Sequence, residues 1–173
     1  MKRNHINIIK EIAIAMFKHS TNDRYLELGI HKAKCFNVIA PLFKLAIGVD
    51  TNKKWASYIN PGPIFFNSST DNYFLNLYDG IQFDLTFIDA NHNFPFVQKD
   101  FTNSYRTAKE NSLIIMHDTY PPHFERMESC KDAYKVADWI KKSKHLFDGE
   151  LVTLPFYFGL TIFRKCTKQL LWM

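Results

Sequence analysis

The sequence predicts an α/β domain built on a mostly parallel sheet with helices on both faces, and three observations predict it. Short apolar runs alternate with segments of helical periodicity from Arg24 to Met116, and parallel strands need such crossovers. Acidic, hydroxyl or glycine residues follow these runs, as at Gly29, Asp50, Ser68, Asp89 and Asp118. Two apolar runs near the end, Leu151 to Leu154 and Leu160 to Phe163, are too close for a crossover and read as a terminal antiparallel pair.

In order along the chain, Ile9, Ile12, Ala13 and Met16 recur at helical spacing, so residues 1–20 hold an amphipathic helix ending near His19. Ser20-Thr21-Asn22-Asp23 is a turn, Arg24 to Leu28 a strand, and Gly29 opens a loop leading to a helix over Lys32 to Ala40 that Pro41 stops. Leu45 to Val49 is the second strand, Lys53 to Tyr58 a short helical stretch, and Ile64 to Phe66 the third strand. A helix follows over Thr70 to Leu77, and Asp79-Gly80 turns into the strand Phe83 to Ile88. Pro95 suits the first turn of a helix running toward Lys109, because its missing N–H costs nothing there. Leu113 to Met116 is the fifth strand, Thr119 to Cys130 a long loop, and Lys131 to Lys142 a helix.

The 173 residues suit one domain, with its core over 24–165, and 46% hydrophobic residues suit a packed core. The net charge of +5 is spread along the chain without a basic block, which argues against nucleic acid as a partner. Cys35, Cys130 and Cys166 form neither a disulfide framework nor a zinc knuckle, and no stretch suits a secretory signal or a membrane span, so a cytoplasmic setting is expected.

Ligands of open parallel sheets sit beyond the carboxyl ends of the strands. There Glu27 offers a carboxylate suited to an ammonium group, and Gly29 lets the backbone approach a ligand. Asp50 is placed to accept from both hydroxyls of a ribose. A pyrophosphate needs close glycines and no nearby anion, whereas His31 and Ala33 hold the likely glycine positions and Glu27 repels phosphate. A ligand with a ribose and an ammonium but no phosphate fits better than a dinucleotide.

The run Y-L-E-L-G-I-H-K-A-K resembles the first motif of class I S-adenosylmethionine-dependent methyltransferases. A-I-G-V-D resembles their second strand with its ribose-binding acid. F-D-L-T-F-I-D-A-N-H-N-F resembles the fourth strand and the Asp-x-x-His of one branch, and S-L-I-I-M-H-D-T-Y-P-P that branch's fifth strand. L-V-T-L-P-F-Y-F-G-L-T-I-F-R-K resembles the last two strands, so the likeness spans Arg24 to Lys165. Ala33 and Ala90 stand where the family has glycines.

The resemblance implies a Rossmann-like, seven-stranded sheet with a C-terminal antiparallel hairpin. It implies S-adenosylmethionine as cofactor, with Glu27 and Gly29 toward its methionine end, Asp50 at the ribose, Ser68 or Ser69 near the adenine, and Asp89 also among the cofactor-binding residues. The reaction implied is methylation of a small-molecule oxygen, a sugar or phenolic hydroxyl. His92 and His117 are the candidate bases beside Asp118, although a histidine at a strand end is also a common structural hydrogen-bonding group. Asp89 and Asp118 would lie about 5 Å apart if their strands are neighbours, and with His92 could hold Mg2+ or Mn2+, as in some related O-methyltransferases. Capping of loop amides by the same carboxylates is the alternative.

Strand alternation sends His117 and Asp118 to opposite faces, so one of them is expected at the pocket. Tyr120, Pro121, Pro122, His123, Phe124 and Arg126 could close over the acceptor. An NAD(P)-binding oxidoreductase and a non-catalytic cofactor-binding module stay open as alternatives, and so does a homodimer that closes the site.

Overall fold

The computed structural model describes residues 4–17, 23–77, 80–121, 127–156 and 158–167. Ser20, Thr21 and Asn22 of the first expected turn, the helix end at His19, Asp79, and the lid candidates Pro122, His123, Phe124 and Arg126 lie outside them.

Seven strands form one sheet: β1 (Arg24–Leu28), β2 (Leu45–Asp50), β3 (Ile64–Asn67), β4 (Phe83–Ile88), β5 (Ala108–His117), β6 (Gly149–Leu154) and β7 (Leu160–Lys165). Their order is β3-β2-β1-β4-β5-β7-β6. The pairs from β3 to β5 are parallel, while β7 runs antiparallel to both β5 and β6. An NAD-type doubly wound sheet continues past its fifth strand with another parallel strand. Here an antiparallel strand takes that place, because the chain leaves β6 by a tight turn and returns between β6 and β5.

Strand alternation divides the core into two faces. Tyr25, Leu85, Phe87, Leu113, Ile115 and Leu160 pack against α1 (His5–Phe17) and α2 (Phe36–Ile39). Leu26, Leu28, Ile88, Ile114, Met116 and Phe163 pack on the other face against α4 (Phe94–Arg106) and α6 (Lys135–Lys142). The short helices α3 (Thr70–Leu75) and α5 (Met127–Cys130) complete the set.

Five elements differ from expectation. Helix α4 ends at Arg106 rather than Lys109, and β5 begins at Ala108, well before Leu113. The polar Lys109 to Ser112 stretch stays in the strand because the pairing with β4 shifts register between Phe83 and Leu85, with Asn111 at a φ of 64°. Met127 to Cys130 is helical rather than loop, and α6 starts only at Lys135. The helix expected over Lys32 to Ala40 shrinks to α2 and passes into a 3-10 turn that accommodates Pro41 near its start.

Candidate active site

The carboxyl ends of β1, β2 and β4 lie side by side, and backbone bonds hold the loops beyond them in register. Gly29 N–H donates to Val49 O at 2.9 Å, Asp89 N–H to Leu28 O at 2.8 Å, and Ser68 N–H to Asp50 O at 3.0 Å. A pocket of about 720 Å3 opens above these ends, lined by Gly29, Asp50, Ser68, Ser69, Asp89 and His92 among the expected residues. Its volume is ordinary for a cofactor site.

Gly29 explains how the chain reaches that geometry. Its φ is +85°, and a Cβ there would lie 2.4 Å from Asp89 O and 2.5 Å from Ala90 Cα. A side chain is thus excluded both by conformation and by space. His31 (φ 45°) and Ala33 (φ 54°) adopt the left-handed region that L-residues rarely occupy, so the loop keeps a glycine-type path with non-glycine residues. Ala90 carries no positive φ and fits its position without that cost.

Asp50 is oriented before any ligand arrives. The backbone N–H of His31 donates to its Oδ2 at 3.0 Å and that of Asn52 to its Oδ1 at 2.9 Å. Each oxygen keeps a lone pair for a further donor. Trp55 stands beside His31 with ring centroids 4.7 Å apart, and both line the pocket. Ser69 Oγ caps α3 by accepting from Asn72 N–H at 3.2 Å, so part of its capacity is used in the fold.

Glu27 is placed differently from its expected role at an ammonium group. It shares a strand face with Tyr25, turned toward α2, is 1% exposed and does not line the pocket. Its carboxyl accepts from the Tyr25 hydroxyl at 2.5 Å. Burial pushes its pKa up to about 8, although the Tyr25 hydrogen bond opposes the rise.

At the ends of the neighbouring strands β4 and β5, Asp89, His92, His117 and Asp118 form a closed network. His92 Nδ1 is 3.0 Å from Asp118 Oδ2, and His92 Nε2 is 3.4 Å from Asp89 Oδ1. His117 Nδ1 lies 3.1 Å from Asp89 Oδ1 and 3.3 Å from Asp118 Oδ1. Alternation predicts opposite faces for His117 and Asp118, yet both join the network because the φ of 59° at Asp118 ends the strand and turns its side chain back. His92 Nδ1 also bonds the carbonyl of Ser129 at 2.9 Å.

The hydrogen bonds to Asp118 and Asp89 raise the His92 pKa to about 10 against the effect of burial. Burial would raise Asp89, but hydrogen bonds from His117 and His92 outweigh it and hold the carboxylate at about 2. His92 and Asp89 line the pocket, whereas His117 and Asp118 stand behind them. One ligand atom each from Asp89, His92 and Asp118 lies within 4.8 Å of the others, a spacing that fits a single divalent cation.

Sequence reasoning did not single out His5, whose ring sits 4.2 Å from that of His117 and reaches the network from α1. Burial, then His117, pushes the His5 pKa down to about 4. Thr51, Asn52, Thr70, Asn91, Phe96 and Lys131 also line the pocket without having been singled out. Tyr120 and Pro121, the described members of the expected lid, border a separate hollow with Tyr134 and Lys141. Among the described residues no helix is long and apolar enough to cross a membrane.

The strand order and the acid-rimmed pocket at its carboxyl edge define a Rossmann-like class I methyltransferase fold. Residues 46–119 match the family model described as a methyltransferase domain. The fold is similar to that of a proposed caffeoyl-CoA O-methyltransferase from Staphylococcus aureus, with a TM-score of 0.74 at 17% identity over 95% of this chain and 84% of that one. An O-methyltransferase from Bacillus cereus in complex with SAH gives 0.69 at 12% identity over 95% and 84%. An SAH-bound methyltransferase from Podospora anserina gives 0.69 at 13% over 91% and 78%. No curated protein sequence matches. The chain thus has the fold of class I methyltransferases, and its residues 46–119 are similar to a methyltransferase domain.

Proposed function

We propose that the protein methylates an oxygen of a small-molecule acceptor, a sugar or phenolic hydroxyl. The observation that supports this best is one pocket joining a pre-oriented carboxylate, Asp50, to the Asp89–His92 pair. In this reading Asp50 accepts from the ribose hydroxyls. Trp55 and Ser68 border the nucleoside, and Gly29 lets the backbone close on the methionine end. Glu27 acts from behind, as a neutral group bracing β1, rather than as a direct partner of the ammonium.

The acceptor oxygen attacks the sulfonium methyl in line, the carbon–sulfur bond breaks toward the thioether, and the acceptor's proton leaves. His92 Nε2, on the Asp89 side, takes that proton once the imidazolium has lost its own. Because its pKa lies near 10, the neutral form is scarce at neutral pH, and the reading favours an acceptor whose own hydroxyl is acidic, a phenol above a sugar. His117 stands behind Asp89 and Asp118 and positions both carboxylates.

Asp89, His92 and Asp118 fit Mg2+ or Mn2+ by donor type and spacing. Bound there, the cation would supply charge that lowers the pKa of an acceptor hydroxyl. If it is required, chelation abolishes transfer and added magnesium restores it, while unchanged activity in chelator removes the metal from the mechanism.

Calorimetry with S-adenosylmethionine and with NAD, using Asp50→Ala as control, tests the reading. Micromolar binding of the sulfonium cofactor, lost in the variant, is expected, followed by methyl transfer to phenols in an acceptor screen. NAD binding in its place would decide for an oxidoreductase. Cofactor binding with no transfer to any hydroxyl would leave a non-catalytic module.

A further inference from the structure

The pocket has two chemically distinct ends. Toward β2 and β3 it is lined by Asp50, Asn52, Trp55 and the Ser68-to-Thr70 turn, and toward β4 and α4 by Asp89, Asn91, His92, Phe96 and Lys131. Phe96, in the first turn of α4, is 47% exposed. Among the described residues its ring packs against no other aromatic. An uncovered ring of this size at a pocket rim offers a stacking face.

Lys131 is the sole Lys or Arg in the lining of this pocket. It has no ion pair or hydrogen bond among the described residues, and its φ of 47° is a strained conformation for lysine. The adjacent carboxylate is already used, since Asp132 Oδ1 accepts from Phe94 N–H at 2.6 Å and Oδ2 pairs with Lys135 at 3.1 Å. The other charged groups of the lining are already engaged, His92 with Asp89 and Asp118, and Asp50 with the backbone amides of His31 and Asn52. A cation held at that rim by a strained backbone, with its neighbouring acid occupied, has an anion from outside the chain as its natural partner.

We propose that Lys131 and Phe96 form the acceptor subsite, and that the acceptor is an aromatic hydroxy acid. Its ring lies on Phe96, its carboxylate pairs with Lys131, and its hydroxyl points to Asp89 and His92. The proposal rests on the methyltransferase reading and narrows its acceptor. Lys131 supplies recognition rather than chemistry, and the cofactor occupies the opposite end.

The test uses the full chain saturated with S-adenosylhomocysteine, so that no turnover occurs, with 3,4-dihydroxybenzoate and the neutral 3,4-dihydroxybenzamide as probes in calorimetry. The benzoate should bind at least roughly tenfold more tightly than the amide. Lys131→Met should erase that preference, Lys131→Arg should keep it, and Phe96→Ala should weaken both probes. Affinity for S-adenosylhomocysteine should be unchanged in all three variants, which also reports their folding. Equal binding of the two probes, or binding of neither beside normal cofactor binding, would overturn the subsite and leave the methyltransferase reading standing. A Lys131→Met variant that loses affinity for S-adenosylhomocysteine would assign Lys131 to the cofactor's carboxylate and overturn the proposal as well. No binding of S-adenosylhomocysteine to the parent chain would sink the reading beneath both.

Discussion

The two corners of the pocket are built by different means. The corner at β1 and β2 is made by backbone shape: three consecutive odd positions, Gly29, His31 and Ala33, hold positive φ, and backbone amides aim Asp50. The corner at β4 and β5 is made by charge, with two carboxylates and two imidazoles holding one another across 3.0 to 3.4 Å. Shape tolerates changes of pH and salt but no added atom. Charge tolerates small changes of volume but follows protonation.

The largest expected effect breaks the first corner. Gly29→Ala puts a methyl 2.4 Å from Asp89 O in a backbone conformation alanine avoids, a cost of more than about 3 kcal/mol. The expected outcome is loss of cofactor binding in calorimetry with a lowered melting temperature. A variant that binds normally would mean the loop relaxes freely, contrary to a shape-built corner. Asp50→Ala comes next. It removes a charged acceptor from the ribose and frees the amides of His31 and Asn52, so cofactor affinity should fall by about 10- to 100-fold with little change in the stability of the free protein.

The charge-built corner predicts a dependence on pH that the other lacks. The His92 pKa is raised from 6.5 to about 10, so its stabilisation is complete below pH 6.5 and disappears as pH rises through 10. In chelator, His92→Gln should therefore cost on the order of 1–3 kcal/mol at pH 6, after allowance for partial exposure, and almost nothing above pH 10. Urea unfolding at the two values measures this. An equal loss at both would mean that packing rather than charge holds the network. Glu27, buried behind the pocket, gives a slope of the same sign in a lower window: its carboxyl is raised to about 8, so the folded state loses stability from about pH 4.5 to 8 as the unfolded chain ionises first.

How far the sequence revealed each corner follows from the same contrast. Acidic residues at the ends of apolar runs are visible in a string of letters, and Asp50, Asp89 and His92 were legible because the strands place them at the pocket whatever the details. Parity along β1 could have placed Glu27 correctly, since it must share a face with Tyr25, which packs under the first helices. The joining of His117 to Asp118 was not legible, because it depends on one positive φ at Asp118. His5 and Lys131 reach the site through the packing of α1 and a left-handed residue after α5, and neither leaves a pattern in spacing. The bulged start of β5 was hidden by its polar residues, which carry no strand periodicity.

The smallest expected effect concerns Ala33, where shape and packing compete. Its φ of 54° costs an alanine roughly 1 kcal/mol that glycine would not bear, yet its methyl is fully buried among the residues packed against α1 and α2, and a buried methyl contributes about as much. Glycine also adds entropy to the unfolded chain, which offsets part of the relief. Ala33→Gly should then change stability by less than about 1 kcal/mol in either direction. Cofactor affinity should hold or improve slightly, since the loop already follows the path a glycine prefers. A stabilisation well beyond that in thermal unfolding would show that backbone strain dominates this corner. A comparable loss would show that the buried methyl, rather than the conformation, makes Ala33 fit where the related family has a glycine.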